Sequence, residues 1–505
     1  MGEADSQAGV GGGLAGAPSM RRRAVRGSAW VVASFVYGQG VRLVGNIVLA
    51  YLLRDDIGVL GIMVLVNSLN RGLQMASSVG LNLSVVQHEK GEELWFLHTA
   101  WTLQVIRGAL LFLVCCIVAV PYAAFYGEPV LVALVPFTGL VLVAVAFQSP
   151  GLWLAERRVE VWRPIAVDVI TQTISLGTMI VWAAISPSVW ALAVGIVLSG
   201  VVRACASYAI APASRPRFRL DRGACGSMLR FGGWLLIGTL LTYFATDAPT
   251  LAMGRVFTKD DLAVFAVALM LATFSSQCVS KIASMVIFPL FSEVKNRGGD
   301  LVGAAGRVLS PLRVMGGAAT AAMYASGPMA VTLLWPSEMA NAAWMVRLLA
   351  MTAMLVVLGD SLKMLLLSLG EARPTVWGHV SKLVALAVLL PAGAWWTTRT
   401  MGWGLPGFVA GAALSEAARY LTYSLLSRRY GVRSLVGDGR WMAVMALAAV
   451  TGAFAADAAF GAAASSGVGT RVAAFAGGAA GGAAVLALYA VPMLRASREL
   501  RGMRG

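Results

Sequence analysis

From Gly27 onward the chain alternates long apolar runs with short polar joints. A helix needs ~20 apolar residues to cross ~30 Å of hydrocarbon, and runs of that length follow one another almost without pause. Fourteen spans are predicted, at 27–53, 57–83, 99–123, 130–155, 162–185, 188–211, 231–257, 261–290, 307–334, 341–369, 375–398, 403–427, 440–461 and 470–493. Turn and breaker residues mark the joints, as in Gly127-Glu128-Pro129, Ser186-Pro187, Trp335-Pro336 and Arg373-Pro374. The pattern predicts an all-α membrane protein of about fourteen transmembrane helices.

One part of the pattern occurs twice. Spans one and two are joined by Arg54-Asp55-Asp56, which leads into Ile57-Gly58-Val59-Leu60-Gly61. Spans seven and eight are joined at Lys259-Asp260-Asp261, which leads into Leu262-Ala263-Val264-Phe265-Ala266. Each copy follows a helix that opens on glycine and tryptophan, Gly27 with Trp30 and Gly233 with Trp234. A repeated membrane hairpin predicts two homologous lobes with a substrate site between them near mid-membrane, the plan of a transporter. The expected division is a disordered basic tail (1–26), a first bundle (27–211), a basic linker (212–230) and a second bundle (231–427). An appended helix pair (440–493) and a basic tail (494–505) complete it. The pair is rich in alanine and glycine, with Gly477-xxx-Gly481 and Gly478-xxx-Gly482 as close-packing signals. A bias toward Ala and Gly codons accounts for that composition equally well.

Composition agrees with the pattern. Of 505 residues, 58% are hydrophobic and 13% charged, where a soluble domain carries about 25% charge. The net charge of +16 does not point to nucleic acid, because the basic residues gather on one predicted side of the membrane. Predicted inner segments hold Arg21–Arg23, Arg26, Arg157, Arg158, the linker arginines Arg215, Arg217, Arg219 and Arg222, and the C-terminal cluster. Predicted outer loops hold Arg54, Arg255, Lys259, Arg399 and Arg471. This places both termini in the cytoplasm. The first run is too long for a signal peptide, contains Arg42 and lacks a small-residue cleavage site, so it reads as a retained helix. Five cysteines and three histidines show no spacing suited to zinc or a disulfide scaffold. No phosphate-cradling Gly-rich loop, no His-Glu-x-x-His and no paired loop carboxylates occur. The chain reads as a transporter that is not an enzyme and needs no cofactor.

Ionisable residues inside a span are costly and become candidates for function. Arg42 and Arg71 fall near the middle of spans one and two, too deep to reach the interface ~15 Å away. With Lys281 and Arg347, and with Asn46, Asn67, Asn70, Gln74 and Gln277 at similar depth, they would form a cationic cavity for pyrophosphate and hydroxyl-rich groups. Asp247 occupies in the second copy the place of Arg42 in the first, so pairing across the cavity in one state is expected. Asp247 and Asp168 are candidate gating or coupling groups for H+ or Na+, and Asp457 reads as a single charge. Asp360 with Lys363 and Glu416 with Arg419 read as pairs that neutralise themselves three residues apart. Arg107, Arg203, Arg313 and Lys382 lie near enough to span ends to snorkel.

Several local segments resemble one family in sequence order. They are Gly80-Leu-Asn-Leu-Ser-Val-Val-Gln87, Ala155-Glu-Arg-Arg158, Arg215-Pro216, Leu229-Arg-Phe-Gly232, Met253-Gly-Arg-Val256, Phe288-Pro-Leu-Phe-Ser292 and Leu369-Gly-Glu-Ala-Arg373. From about Arg26 to His379 the chain resembles the Wzx-type oligosaccharide flippases, of the colanic- and teichuronic-acid type. These belong to the multidrug/oligosaccharidyl-lipid/polysaccharide exporter superfamily. The resemblance implies twelve to fourteen helices in two pseudo-symmetric bundles and alternating access. The implied cargo is an undecaprenyl-pyrophosphate-linked oligosaccharide moved across the plasma membrane, with polysaccharide polymerase machinery as a partner. It supplies no site residues. A lipid II flippase and a cation-coupled drug antiporter are the alternatives, followed by a membrane polymerase or ligase that would require larger outer loops.

Overall fold

The computed structural model describes residues 20–77, 81–158, 160–212, 216–296, 301–369, 371, 373–432 and 434–502. The tail expected to be disordered lies, through residue 19, outside the described residues. The first half comprises α1 (Met20–Leu52), α2 (Gly58–Ala76), α3 (Leu81–Gln87), α4 (Leu94–Tyr126), α5 (Leu131–Ala146), α6 (Gly151–Arg157), α7 (Trp162–Ile185) and α8 (Val189–Ile210). The second comprises α9 (Arg222–Val256), α10 (Lys259–Asn296), α11 (Leu301–Leu334), α12 (Ala342–Ser368), α13 (Arg373–Met401), α14 (Leu405–Ser427), α15 (Ser434–Ser465) and α16 (Thr470–Gly502). No strand occurs among the described residues. In hydrocarbon a helix satisfies its own backbone, which leaves side chains to decide packing.

Among the described residues nine helices are long and apolar enough to cross a membrane, ten if α5 and α6 form one span bent by 61°. Length and hydropathy of the described residues thus do not by themselves confirm the predicted count of fourteen. Beyond the α5–α6 pair, the helices that fall short are α2, α9, α11 and α14. All four carry charge into the interior: Arg71 on α2, Asp247 on α9, Arg313 on α11, and Glu416 with Arg419 on α14. Two predicted spans are also broken. The helix in the run from 57 to 83 ends at Ala76, with α3 following beyond residues 78–80, which lie outside the described residues, and the run from 130 to 155 breaks between Ala146 and Gly151 at Pro150.

In the first half α7 lies against α1 and α8, and α5 against α4 and α8. In the second, α12 touches α10, α11 and α14, while α13 packs on α9 and α14. Helix α2 joins the halves by packing on α9 and α10. The last pair, α15 and α16, leans on α11. Its glycines are packing residues: a Cβ at Gly477 would sit 2.7 Å from the Ala456 carbonyl oxygen, and one at Gly481 would sit 2.9 Å from that of Gly452.

Two segments that carry the family resemblance meet in space. Arg157, closing α6, donates to the carbonyl oxygens of Val85 (2.9 Å), Val86 (3.0 Å) and His88 (2.6 Å), and so caps α3. Beside them Arg158 donates to Glu92 at 3.1 Å. That hydrogen bond and charge hold the Glu92 carboxyl below the usual carboxylate range. The pairing therefore persists at neutral pH and is lost only as acid titrates Glu92 below that range.

The two copies of the junction also meet. The Lys259 ammonium lies 3.9 Å from the Asp56 carboxylate. A Cβ at Gly61 would stand 2.0 Å from the Lys259 carbonyl oxygen, and one at Gly58 would stand 2.6 Å from the Asp260 carboxylate. Only glycine permits this approach of α2 to the backbone of α10. Gly61→Ala is expected to lower stability by ~1–3 kcal/mol through overpacking. Unchanged thermal unfolding of the purified variant would show that the two helices separate there without cost.

Candidate functional site

A cavity of about 880 Å³ opens among α1, α2, α7, α8 and α10. Its walls are set by close helix contacts. A Cβ at Gly45 of α1 would lie 2.4 Å from Leu176 Cδ1 of α7, and Gln172 of α7 donates to the Gly38 carbonyl oxygen at 3.0 Å. Tyr37 and Thr173 join hydroxyls at 2.7 Å. Of the residues expected to bind substrate, Arg42, Asn46, Asn67 and Lys281 line this cavity, as does Asp168. Arg42 uses Nε on the Gly38 carbonyl oxygen at 3.3 Å, and Asn46 donates to the Arg42 carbonyl oxygen at 2.9 Å. The first bond holds the guanidinium through Nε and leaves both Nη groups without a partner among the described residues.

Arg71 lies one turn beyond Asn67 on α2, near enough to Arg42 for the two charges to repel. Its Nη1 donates to Asp247 of α9 at 3.2 Å, where Ser68 Oγ also donates at 3.1 Å. In this conformation Asp247 is therefore paired with Arg71 rather than with Arg42. The carboxylate is buried, and its second oxygen has no hydrogen-bond partner among the described residues. Arg71 is half exposed, so its remaining donors are available on the open side of α2.

Other candidates are placed elsewhere. Arg347 of α12 pairs with Asp457 of α15 at 2.6 Å, so neither is the isolated charge the sequence suggests. Asn70 is buried against the Thr138 hydroxyl at 3.3 Å. Gln74 lines a small hollow with Gln104 and Arg107, and its carbonyl oxygen accepts from Arg107 at 2.9 Å. Gln277 of α10 accepts from Gln39 of α1 at 2.9 Å. Nor do the arginines and lysine expected to snorkel rely on the interface. Arg203 pairs with Asp168, Arg313 with Asp438 at 2.5 Å, and Lys382 with Glu416 at 2.5 Å. A partner inside the protein costs less than a stretched side chain, because it also neutralises an acid that would otherwise be stranded.

Sequence reading missed a buried cluster in the second half. Asp360 and Lys363 of α12 (3.2 Å) and Glu416 and Arg419 of α14 (2.8 Å) do form the pairs their spacing suggests. The pairs are not separate: Arg419 also reaches Asp360 at 3.5 Å, and Lys382 of α13 meets Glu416. Ser280 of α10 adds a hydrogen bond to Asp360 at 3.3 Å. Within the cluster the His379 Nδ1 and the Tyr423 hydroxyl are buried without a partner among the described residues. The recurrence of charge on three successive helices was the available signal. Among the described residues no group of three or more His, Cys, Asp or Glu could hold a metal ion.

The helix seams differ between the halves. Along α2 and α9 the packing is close: Thr239 donates to the Met75 carbonyl oxygen at 2.9 Å, and a Cβ at Gly72 would lie 2.5 Å from the Tyr243 ring. In the repeat, α1 corresponds to α9 and α10 to α2. Among the described residues α1 and α10 have no comparable seam, and Gln39 with Gln277 spans the interval.

The model of one family, described as polysaccharide biosynthesis protein, matches residues 48–342. Comparison with curated proteins finds no match. Among solved structures, the lipid II flippase MurJ in an inward closed conformation aligns with a TM-score of 0.67 at 8% identity, over 91% of this chain and 97% of that one. An inward-facing multidrug resistance MATE family transporter of the MOP superfamily gives 0.58 at 15% identity, over 77% and 93% of the two chains. The Vibrio cholerae MATE transporter VcmN in the bent form gives 0.53 at 12%, over 82% and 98%. At such identities the likeness is one of fold.

Proposed function

Because the chain belongs to the polysaccharide biosynthesis protein family and is a multi-pass helical membrane protein, we propose that it moves an undecaprenyl-pyrophosphate-linked oligosaccharide across the plasma membrane. The carrier-linked glycan is taken from the cytoplasmic face and released outside by alternating access. The observation that carries this reading is the cavity wall formed by α1, α2 and α10. There Arg42 and Lys281 present cationic side chains beside Asn46 and Asn67. Guanidinium groups bind phosphate oxygens in pairs and keep their charge when dehydrated, while amides serve hydroxyls.

The loosely joined seam between α1 and α10 supports entry from the side. A polyprenyl tail stays in lipid while the polar head moves between these helices into the cavity. Asp247 then acts as a resident counter-ion. It holds Arg71 when the cavity is empty and gives it up when a phosphate oxygen competes. The two packed groups of helices, α1–α8 and α9–α14, serve as the lobes that rock about α2, with both termini in the cytoplasm.

Deletion of the gene is expected to remove one surface polysaccharide and leave its repeat unit, still linked to undecaprenyl pyrophosphate, on the cytoplasmic face. Carrier-linked glycans extracted from the mutant and analysed by mass spectrometry measure this directly. Accumulation of a peptidoglycan precursor instead would transfer the cargo to lipid II. Unchanged glycans with greater sensitivity to cationic drugs would replace the flippase reading by drug export.

A further inference from the structure

The cavity has a second polar wall, and it differs in charge from the first. On α7 and α8, Asp168 forms an ion pair with Arg203, whose Nε also donates to Gln148 at 3.2 Å. One turn further along α7, Gln172 commits its amide nitrogen to Gly38 and keeps its carbonyl oxygen as an acceptor. Between them, the Thr171 hydroxyl is buried with no partner among the described residues. All four line the same cavity as Arg42. We propose that this wall, carried by Asp168, Arg203 and Gln172, is a sugar-recognition subsite that reads the oligosaccharide while the α1–α10 wall holds the pyrophosphate.

The assignment rests on the transport reading above and deepens it. Charge separates the two ends of the ligand. Arg203 is already neutralised by Asp168, so the α7–α8 wall offers no net cation to attract phosphate. The Asp168 carboxylate, more than half exposed at 58%, would repel a phosphate group placed against it. A neutral glycan meets no such barrier. Vicinal hydroxyls can donate to the free lone pairs of Asp168 and to the Gln172 carbonyl, and can accept from the guanidinium. Hydrogen bonds to charged groups are the stronger kind, and a site built for hydroxyls discriminates against ligands that lack them. Asp168 thus becomes a specificity residue rather than the coupling group its isolation in the sequence suggests.

The test compares two lipids with the purified full-length protein in lipid nanodiscs. One is undecaprenyl pyrophosphate; the other is the undecaprenyl-pyrophosphate-linked glycan extracted from cells lacking the gene. Wild type should bind the glycan-bearing lipid more tightly. Gln172→Ala should weaken that lipid by roughly ten-fold and leave bare undecaprenyl pyrophosphate unchanged, whereas Asp168→Asn, which also frees the Arg203 charge, should weaken the glycan-bearing lipid relative to the bare one by a similar factor. Gln172→Ala keeps the ion pair intact, so the test holds even if Asp168→Asn disturbs the packing of α7 on α8. Equal affinity of wild type for the two lipids, equal weakening of both lipids by the variants, or no weakening at all would overturn the subsite. Arg42→Ala separates the parent reading: it should weaken both lipids together. If it weakens neither, the pyrophosphate site at Arg42 fails while the sugar increment is still read. Wild type binding neither lipid would remove the transport reading and the subsite with it.

Discussion

Cells whose only copy carries Arg42→Ala should lose the surface polysaccharide almost as completely as the deletion, with normal amounts of protein in the membrane. The side chain is oriented by Gly38 and lines the cavity without a carboxylate partner among the described residues. Its removal therefore breaks no internal ion pair and should leave folding intact. What it removes is a forked contact to phosphate. Hydrogen bonds to charged groups contribute ~1.5–3 kcal/mol each, so losing two corresponds to at least about a hundred-fold in affinity. Arg42→Lys keeps the charge and loses the fork, and should recover only part of the transport. Initial rates of carrier-linked glycan movement in proteoliposomes, normalised to protein, measure both variants. Wild-type rates for Arg42→Ala would exclude this arginine from the binding site.

Arg419→Ala should act in the opposite way, destroying the protein rather than its binding. Arg419 is 8% exposed and neutralises both Asp360 and Glu416. Breaking a buried pair by removing one partner costs ~3–5 kcal/mol, because the other charge stays behind without compensation. That is a large part of the stability of a typical domain. Thermal unfolding in detergent should show a strongly lowered midpoint and poor recovery. The double variant Arg419→Met with Glu416→Gln removes both charges of one pair, and should be more stable than the sum of the two single changes allows. Additive losses would mean that the residues do not act as a cluster.

Much of the architecture was legible because bilayer physics writes it into composition. Apolar runs of bilayer length, basic residues gathered on one predicted side and the doubled Arg54-Asp-Asp and Lys259-Asp-Asp junction all precede any contact between helices. The hydropathy signal weakens at α2, α9, α11 and α14 for a physical reason. A helix that exchanges lipid contact for interior polar partners no longer reads as apolar. The candidate site was legible in the same partial way. Depth and charge together select Arg42, Lys281, Asn46, Asn67 and Asp168, and all five line one cavity. Depth and charge also select Arg347, whose partner Asp457 stands 110 positions away on α15, where no local spacing rule reaches.

The sequence by itself determined that this is a multi-pass helical protein with a repeated hairpin, and which deep residues carry charge, since each follows from transfer of one segment from water to lipid. Only the tertiary structure decided which charges neutralise one another. Arg71 found Asp247 across the halves, Arg203 found Asp168 on the adjoining helix, and Lys382 closed a cluster begun by two pairs on other helices. Whether a buried charge binds a ligand or holds the fold depends on what lies within about 4 Å of it. That neighbourhood is set by how helices pack, not by their order in the chain.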